Sequence, residues 1–158
     1  MNVKLASYCY SQDSRNGSKG GANRNYTISS SNTTSTNKTP YFGYTFISRM
    51  THDYVNDAGL ADEPHFNFLR RFRAEGYLNN TILIYFSDHG IRWGQLRETS
   101  IGKAEERLPM MFIILPPWFR SRYPRLYANL QTNRRRLTTP FDVYETLKDI
   151  LYFDGQDR

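Results

Sequence analysis

One stretch constrains this chain more than any other: Thr81-Ile82-Leu83-Ile84-Tyr85-Phe86-Ser87-Asp88-His89-Gly90. Five apolar or aromatic residues run unbroken from Ile82 to Phe86. That is the pattern of a strand buried on both faces, as in a parallel sheet covered by helices. The run ends in four small or polar residues. Ligands of open α/β sheets bind at the carboxyl ends of strands, so chemistry is expected at this tip. Adjacent side chains of a regular strand point to opposite faces. Where strand gives way to loop that constraint lapses, and Asp88 and His89 can converge on one ion. Gly90, lacking a Cβ, suits a sharp turn. A carboxylate oxygen with an imidazole nitrogen suits zinc or manganese; with more oxygen ligands, calcium or magnesium. Alone, an Asp-His pair reads more simply as a capping carboxylate beside a surface histidine. The buried strand before it and Gly90 after it favour the metal.

The residues upstream supply a partner for that strand. Tyr41 to Ser48 is aromatic and β-branched, which predicts a strand bounded by Pro40. His52 and Asp53 stand just beyond its end. If it runs parallel to the Ile82–Phe86 strand, both tips open on one edge of the sheet. Between them, Asp62-Glu63-Pro64 predicts a helix start, with Phe66, Leu69 and Phe72 (Phe68 beside them) as its core face through to Gly76. Asn56 and Asp57 read as turn residues, and His65 is given no role. Strand, helix, strand is a βαβ unit, expected to be parallel. Beyond Gly90, residues 91–101 lack periodicity and are expected to lie over the strand ends. Met110 to Leu115 predicts another buried strand, stopped by Pro116-Pro117. Trp118 to Leu130 is helical but interrupted at Pro124. Thr139 caps a last helix with Pro140 at its first position and Val143, Leu147, Ile150 and Leu151 as its apolar stripe.

These motifs resemble, in order, those of the alkaline phosphatase and sulfatase superfamily. Ser87-Asp88-His89-Gly90 looks like its metal-binding turn. Gly102-Lys103-Ala104-Glu105-Glu106-Arg107-Leu108-Pro109, followed by the strand from Met110, looks like its Glu-rich segment. Leu137 to Leu147 is similar to the hand-over into its late helix. The likeness is nearest to the sulfatase-like "domain of unknown function 229" family and covers roughly Tyr41 to Tyr152. It implies an α/β fold: an alkaline phosphatase-like three-layer sandwich, incomplete here, with a mostly parallel sheet flanked by helices. It assigns Asp88 and His89 to a divalent metal, calcium or zinc. It assigns His52 and Lys103 to the anionic group of a substrate. The superfamily's phosphodiesterases use a histidine near His52 as a metal ligand, but their carboxylate four residues earlier is Ser48 here. His52 is therefore carried over as substrate-contacting. No nucleophile motif precedes Tyr41, so no catalytic residue is assigned. The expectation is a C-terminal portion, residues 40–155, inactive by itself, after a disordered low-complexity segment over residues 1–39.

Charge and composition narrow the partners. Among 158 residues the formal charge is +6, with arginine clusters at 70, 71 and 73, at 120, 122 and 125, and at 134–136. That balance favours anionic partners. Aromatic residues are not interleaved in a nucleic-acid motif, so no nucleic acid is expected. A sulfated or phosphorylated ester, possible as part of a glycan, fits better. With one cysteine, Cys9, no internal disulfide can form. No apolar run reaches the roughly 18 residues of a membrane span. Five Asn-x-Ser/Thr sequons, at Asn16, Asn25, Asn32, Asn37 and Asn79, together with the resemblance, imply a secretory-pathway or extracellular protein. Two functions compete: a metal-dependent hydrolase of sulfate or phosphate esters, and a non-catalytic module binding acidic glycans or a protein partner.

Overall fold

The computed structural model describes residues 3–9 (as backbone), 40–47, 52, 54 and 56–158. Met1–Ile114 form one unit and Leu115–Arg158 a second. In the first, strand β1 is Val3–Cys9 and β2 is Tyr41–Ile47. Helix α1 is Asp57–Ala74, and a 3-10 turn at Tyr77–Asn79 leads into β3, Thr81–Ser87. Two short helices follow, α2 at Gln95–Glu98 and α3 at Ser100–Arg107, then β4 at Met111–Ile114.

The class is mixed α/β, with helices and a small antiparallel sheet. Strand order is β2-β1-β3-β4, and all three pairings are antiparallel. This corrects the expected mostly parallel arrangement. Two strands account for it: β1, which lies between β2 and β3 and belongs to the stretch expected to be disordered, and β4, which runs against β3. The remainder of that stretch, residues 10–39, lies outside the described residues. Ile47 and Ser87 both face Val3, one from each side. So β2 and β3 do run the same way and finish at one edge, two strand spacings or about 10 Å apart.

β3 is buried on both faces, as its sequence predicts. Leu83 is 1% exposed and Ile84, on the opposite face, 3%. The two-sided run is thus compatible with antiparallel neighbours once both faces are covered. β4 is an edge strand, and its Met111 and Phe112 remain exposed.

Helix α1 begins earlier than Asp62. Asn56 is its N-cap and Asp57 its first residue, so Pro64 lies inside it. Pro64 leaves that helix without one backbone hydrogen bond in its second turn. Its inner stripe is Ala61, His65, Leu69 and Phe72, whereas Phe66 and Phe68 are exposed. His65 turns its edge to the Tyr85 ring at 5.7 Å, and its Nδ1 donates to the Ala61 carbonyl at 2.6 Å. It is a packing residue between α1 and β3. Burial, with the Asp62 carboxylate nearby, raises the Tyr85 phenol above its ordinary range.

In the second unit, α4 is Phe119–Arg122, α5 Pro124–Asn133 and α6 Pro140–Leu151. Pro124 ends one helix and opens the next from its first position, where its missing N–H costs nothing. Tyr123, 2% exposed, packs on Phe119 and Phe153. The Asp157 carboxylate accepts from the backbone amides of Arg125 and Leu126 at 3.0 and 2.9 Å, capping α5. Thr139 and Asp142 form the capping box of α6. Among the described residues no helix is long and apolar enough to cross a membrane.

Candidate functional site

The sheet ends where β3 delivers Asp88 and His89 side by side. Both are partly buried, their side chains 24% and 21% exposed. Asp88 Oδ1 accepts the His89 backbone N–H at 2.9 Å. That bond holds the carboxylate beside the ring. His89 Nδ1 lies 2.6 Å from the Gly90 carbonyl oxygen. A carbonyl only accepts, so Nδ1 is the donor, and in the neutral tautomer Nε2 holds the lone pair. Metal-binding histidines are commonly oriented by such a bond from their other nitrogen.

His89 Nε2 and Asp88 Oδ2 are 3.8 Å apart. That is too long for a hydrogen bond. Two ligands of a tetrahedral zinc, with bonds of about 2.0 to 2.2 Å, stand about 3.4 Å from each other. The pair needs to close by only a few tenths of an ångström. The donor set therefore fits a divalent ion, and it fits as two ligands of an incomplete shell. Among the described residues no group of three or more His, Cys, Asp or Glu comes together for a metal.

Gly90 secures the turn in a way its sequence does not announce. Its φ is not among the positive values, which fall at Gly76, Gly94 and Gly155. What demands glycine is close approach. A Cβ at Gly90 would stand 2.2 Å from the Glu105 carbonyl oxygen, and the Gly90 N–H donates to the Glu106 carbonyl at 3.0 Å. The end of α3 is thus laid against the backbone of the Asp-His turn. Gly102 does the same for α2, since a Cβ there would meet the Leu96 carbonyl oxygen at 1.8 Å. The Thr99 hydroxyl caps α3 by accepting from Gly102 N at 2.9 Å.

The other two predicted residues stand differently. His52 meets the Trp93 ring edge-on, with centroids 4.8 Å apart. Trp93 lies three residues beyond Gly90, so His52 is tied to the loop leaving the Asp-His turn. This is the shared edge that β2 and β3 create. Asp53 lies outside the described residues. Lys103 is exposed on α3, the helix whose end touches Gly90. Glu106 bridges to Arg97 at 3.0 Å and joins α3 to α2. Trp93 belongs to the aperiodic stretch, residues 91–101, expected to lie over the strand ends, and its contact with His52 falls there. The Ser87 hydroxyl is buried beside the pair and has no hydrogen-bond partner among the described residues.

A family model described as a protein of unknown function, DUF229, matches residues 8–158. The chain belongs to the DUF229 family. The match takes in the Asp-His turn and both flanking strands, and it starts within β1. No curated protein and no solved structure matches the chain.

Proposed function

We propose that this DUF229 chain carries part of the metal site of a hydrolase-like domain acting on sulfate or phosphate esters. The fold we propose for the complete domain is the alkaline phosphatase-like sandwich. Asp88 Oδ2 and His89 Nε2 hold the ion. His52, braced on Trp93, and Lys103 meet the anionic oxygens of the substrate. The observation that carries the reading is the 3.8 Å pair, with His89 Nδ1 donating to Gly90 and leaving Nε2 as the ring nitrogen near the carboxylate. A bound divalent metal polarises such an ester and stabilises a nucleophile. The imidazole favours zinc over calcium, whose ligands are oxygens. A catalytic zinc keeps three protein ligands, and the described residues bring two together. Further ligands must therefore come from outside them, and the two alone bind metal weakly and support no turnover. A secretory or extracellular setting accords with the sequons and with an extracellular ester as substrate.

The test is metal content of protein with a complete metal shell after loading with zinc or calcium, wild type against His89→Ala. Metal falling tenfold or more in the variant supports the reading, and equal content removes it. Hydrolysis of an aryl sulfate and an aryl phosphate by protein with a complete metal shell should vanish on Asp88→Ala. Retained hydrolysis takes Asp88 out of the mechanism.

One observation favours the second reading, a non-catalytic module for acidic glycans. Gln131, Thr132, Arg134, Arg135 and Arg136 line an open concavity of about 540 Å3 at the end of α5. Its lining has no aromatic ring on which a base could stack, which separates it from single-stranded nucleic-acid sites. Retention on a heparin column should drop on replacing the three arginines with alanine, with metal content unchanged. Unaltered retention removes this reading.

A further inference from the structure

Of the five sequons, Asn79-Asn80-Thr81 is the one within the described residues, and its surroundings are informative. Asn79 is exposed at the end of the 3-10 turn Tyr77–Asn79. Gly76 enters that turn at φ 78°, a left-handed conformation that reverses the chain after α1. Tyr77, two residues before Asn79, is 50% exposed. One side of its ring is braced by Phe72, with centroids 5.0 Å apart. The exposed part of the ring is an apolar platform in the same turn as the asparagine. The carbon-bound hydrogens of a sugar ring pack on such a platform, as other apolar groups do on aromatic rings.

We propose that Asn79 is an N-glycosylation site, its first N-acetylglucosamine packed against Tyr77. The Asn79 Nδ2 bonds to C1 of the sugar and gives up one proton. The bond from C1 to phosphate oxygen breaks, and a polyprenyl diphosphate leaves from the lipid-linked oligosaccharide donor. Thr81 is 2% exposed in the folded chain, at the first position of β3. The transferase must read the threonine together with the asparagine, so the sugar is added before β3 pairs with β1 and β4. The position leaves the candidate metal site open. Asn79 precedes β3 and Asp88 follows it, and seven strand residues put about 23 Å between the two ends.

This inference rests on the secretory setting proposed above, and one experiment separates the two. The protein is isolated from its natural source, treated with a glycan-releasing amidase in heavy-oxygen water, and mapped by peptide mass spectrometry. Conversion of Asn79 to labelled aspartate is the expected result. In secreting eukaryotic cells, Asn79→Gln should remove the mass of one glycan. Label at any of the other four sequons with a bare Asn79 overturns the inference and leaves the secretory setting standing. A chain with no label at any sequon overturns both.

Discussion

Replacing Gly90 with alanine tests the contact that ties the Asp-His turn to α3. The added methyl would lie 2.2 Å from the Glu105 carbonyl oxygen, 2.7 Å from the Glu105 carbonyl carbon and 2.9 Å from the Glu106 Cα. All three are backbone atoms, so no side chain can swing aside. Relief requires the end of α3 to back away by about 1 Å, which stretches the 3.0 Å bond from Gly90 N to Glu106 O beyond hydrogen-bond range. Overpacking costs about 1–3 kcal/mol, and a lost backbone hydrogen bond about 0.5–1.5 kcal/mol more. Gly90→Ala should therefore destabilise the chain by about 2–4 kcal/mol, the sum of those two ranges rounded. With a urea slope of about 2 kcal/mol/M, the midpoint falls by about 1–2 M. Circular dichroism against urea reads it. Gly59→Ala is the control: the same methyl on exposed α1, with nothing within 4 Å. Helix propensity there predicts a gain of up to about 1 kcal/mol. If the two variants unfold at the same urea concentration, the close approach at Gly90 is wrong.

Three further outcomes follow from the packing and the charges. Leu83→Ala should cost about 2–5 kcal/mol in urea unfolding, because it empties a fully buried position on β3; exposed Phe112, truncated in the same way, should cost far less. The Thr139 hydroxyl and backbone N–H, both bonded to Asp142, hold that carboxyl below its usual range. A depressed folded pKa stabilises above the unfolded value of about 3.9 and loses that effect as pH falls through the folded value. Stability should thus fall less on acidification in Asp142→Asn than in wild type, which a urea series from pH 6 to pH 2 would register. Tyr85 behaves oppositely: its raised pKa means stability present below the unfolded value of about 10 is lost as pH rises through the folded value. Tyr85→Phe should abolish that alkaline loss, and an unchanged alkaline limb would remove burial of the phenol as its source.

Much of this was legible in residue order because the relevant physics is local. A run of five apolar residues is buried wherever it sits, so β3 and its polar tip were readable from Ile82 to His89. Thr139-Pro140 begins a helix for reasons contained within one turn, and Pro124 divides two helices because it lacks an N–H. The boundary of α1 was misplaced because Asp62-Glu63-Pro64 is a good local start signal, whereas the helix begins at Asp57 and packs Ala61 on its inner face. β1 went unseen because seven residues were averaged with the polar tract that follows them.

The amino-acid sequence by itself determined that a buried strand ends in a carboxylate and an imidazole, and it determined membership of the family, since both rest on residue types in a fixed order. Tertiary structure alone decided that β1 comes between β2 and β3 and that β4 runs against β3, so that all three pairings are antiparallel. It also decided that Gly90 is needed for close approach to α3, and that Trp93 joins His52 to the Asp-His loop. Each of these depends on atoms brought together from distant parts of the chain, and hydrophobic periodicity carries no information on which distant partner a strand, a glycine or a ring will meet.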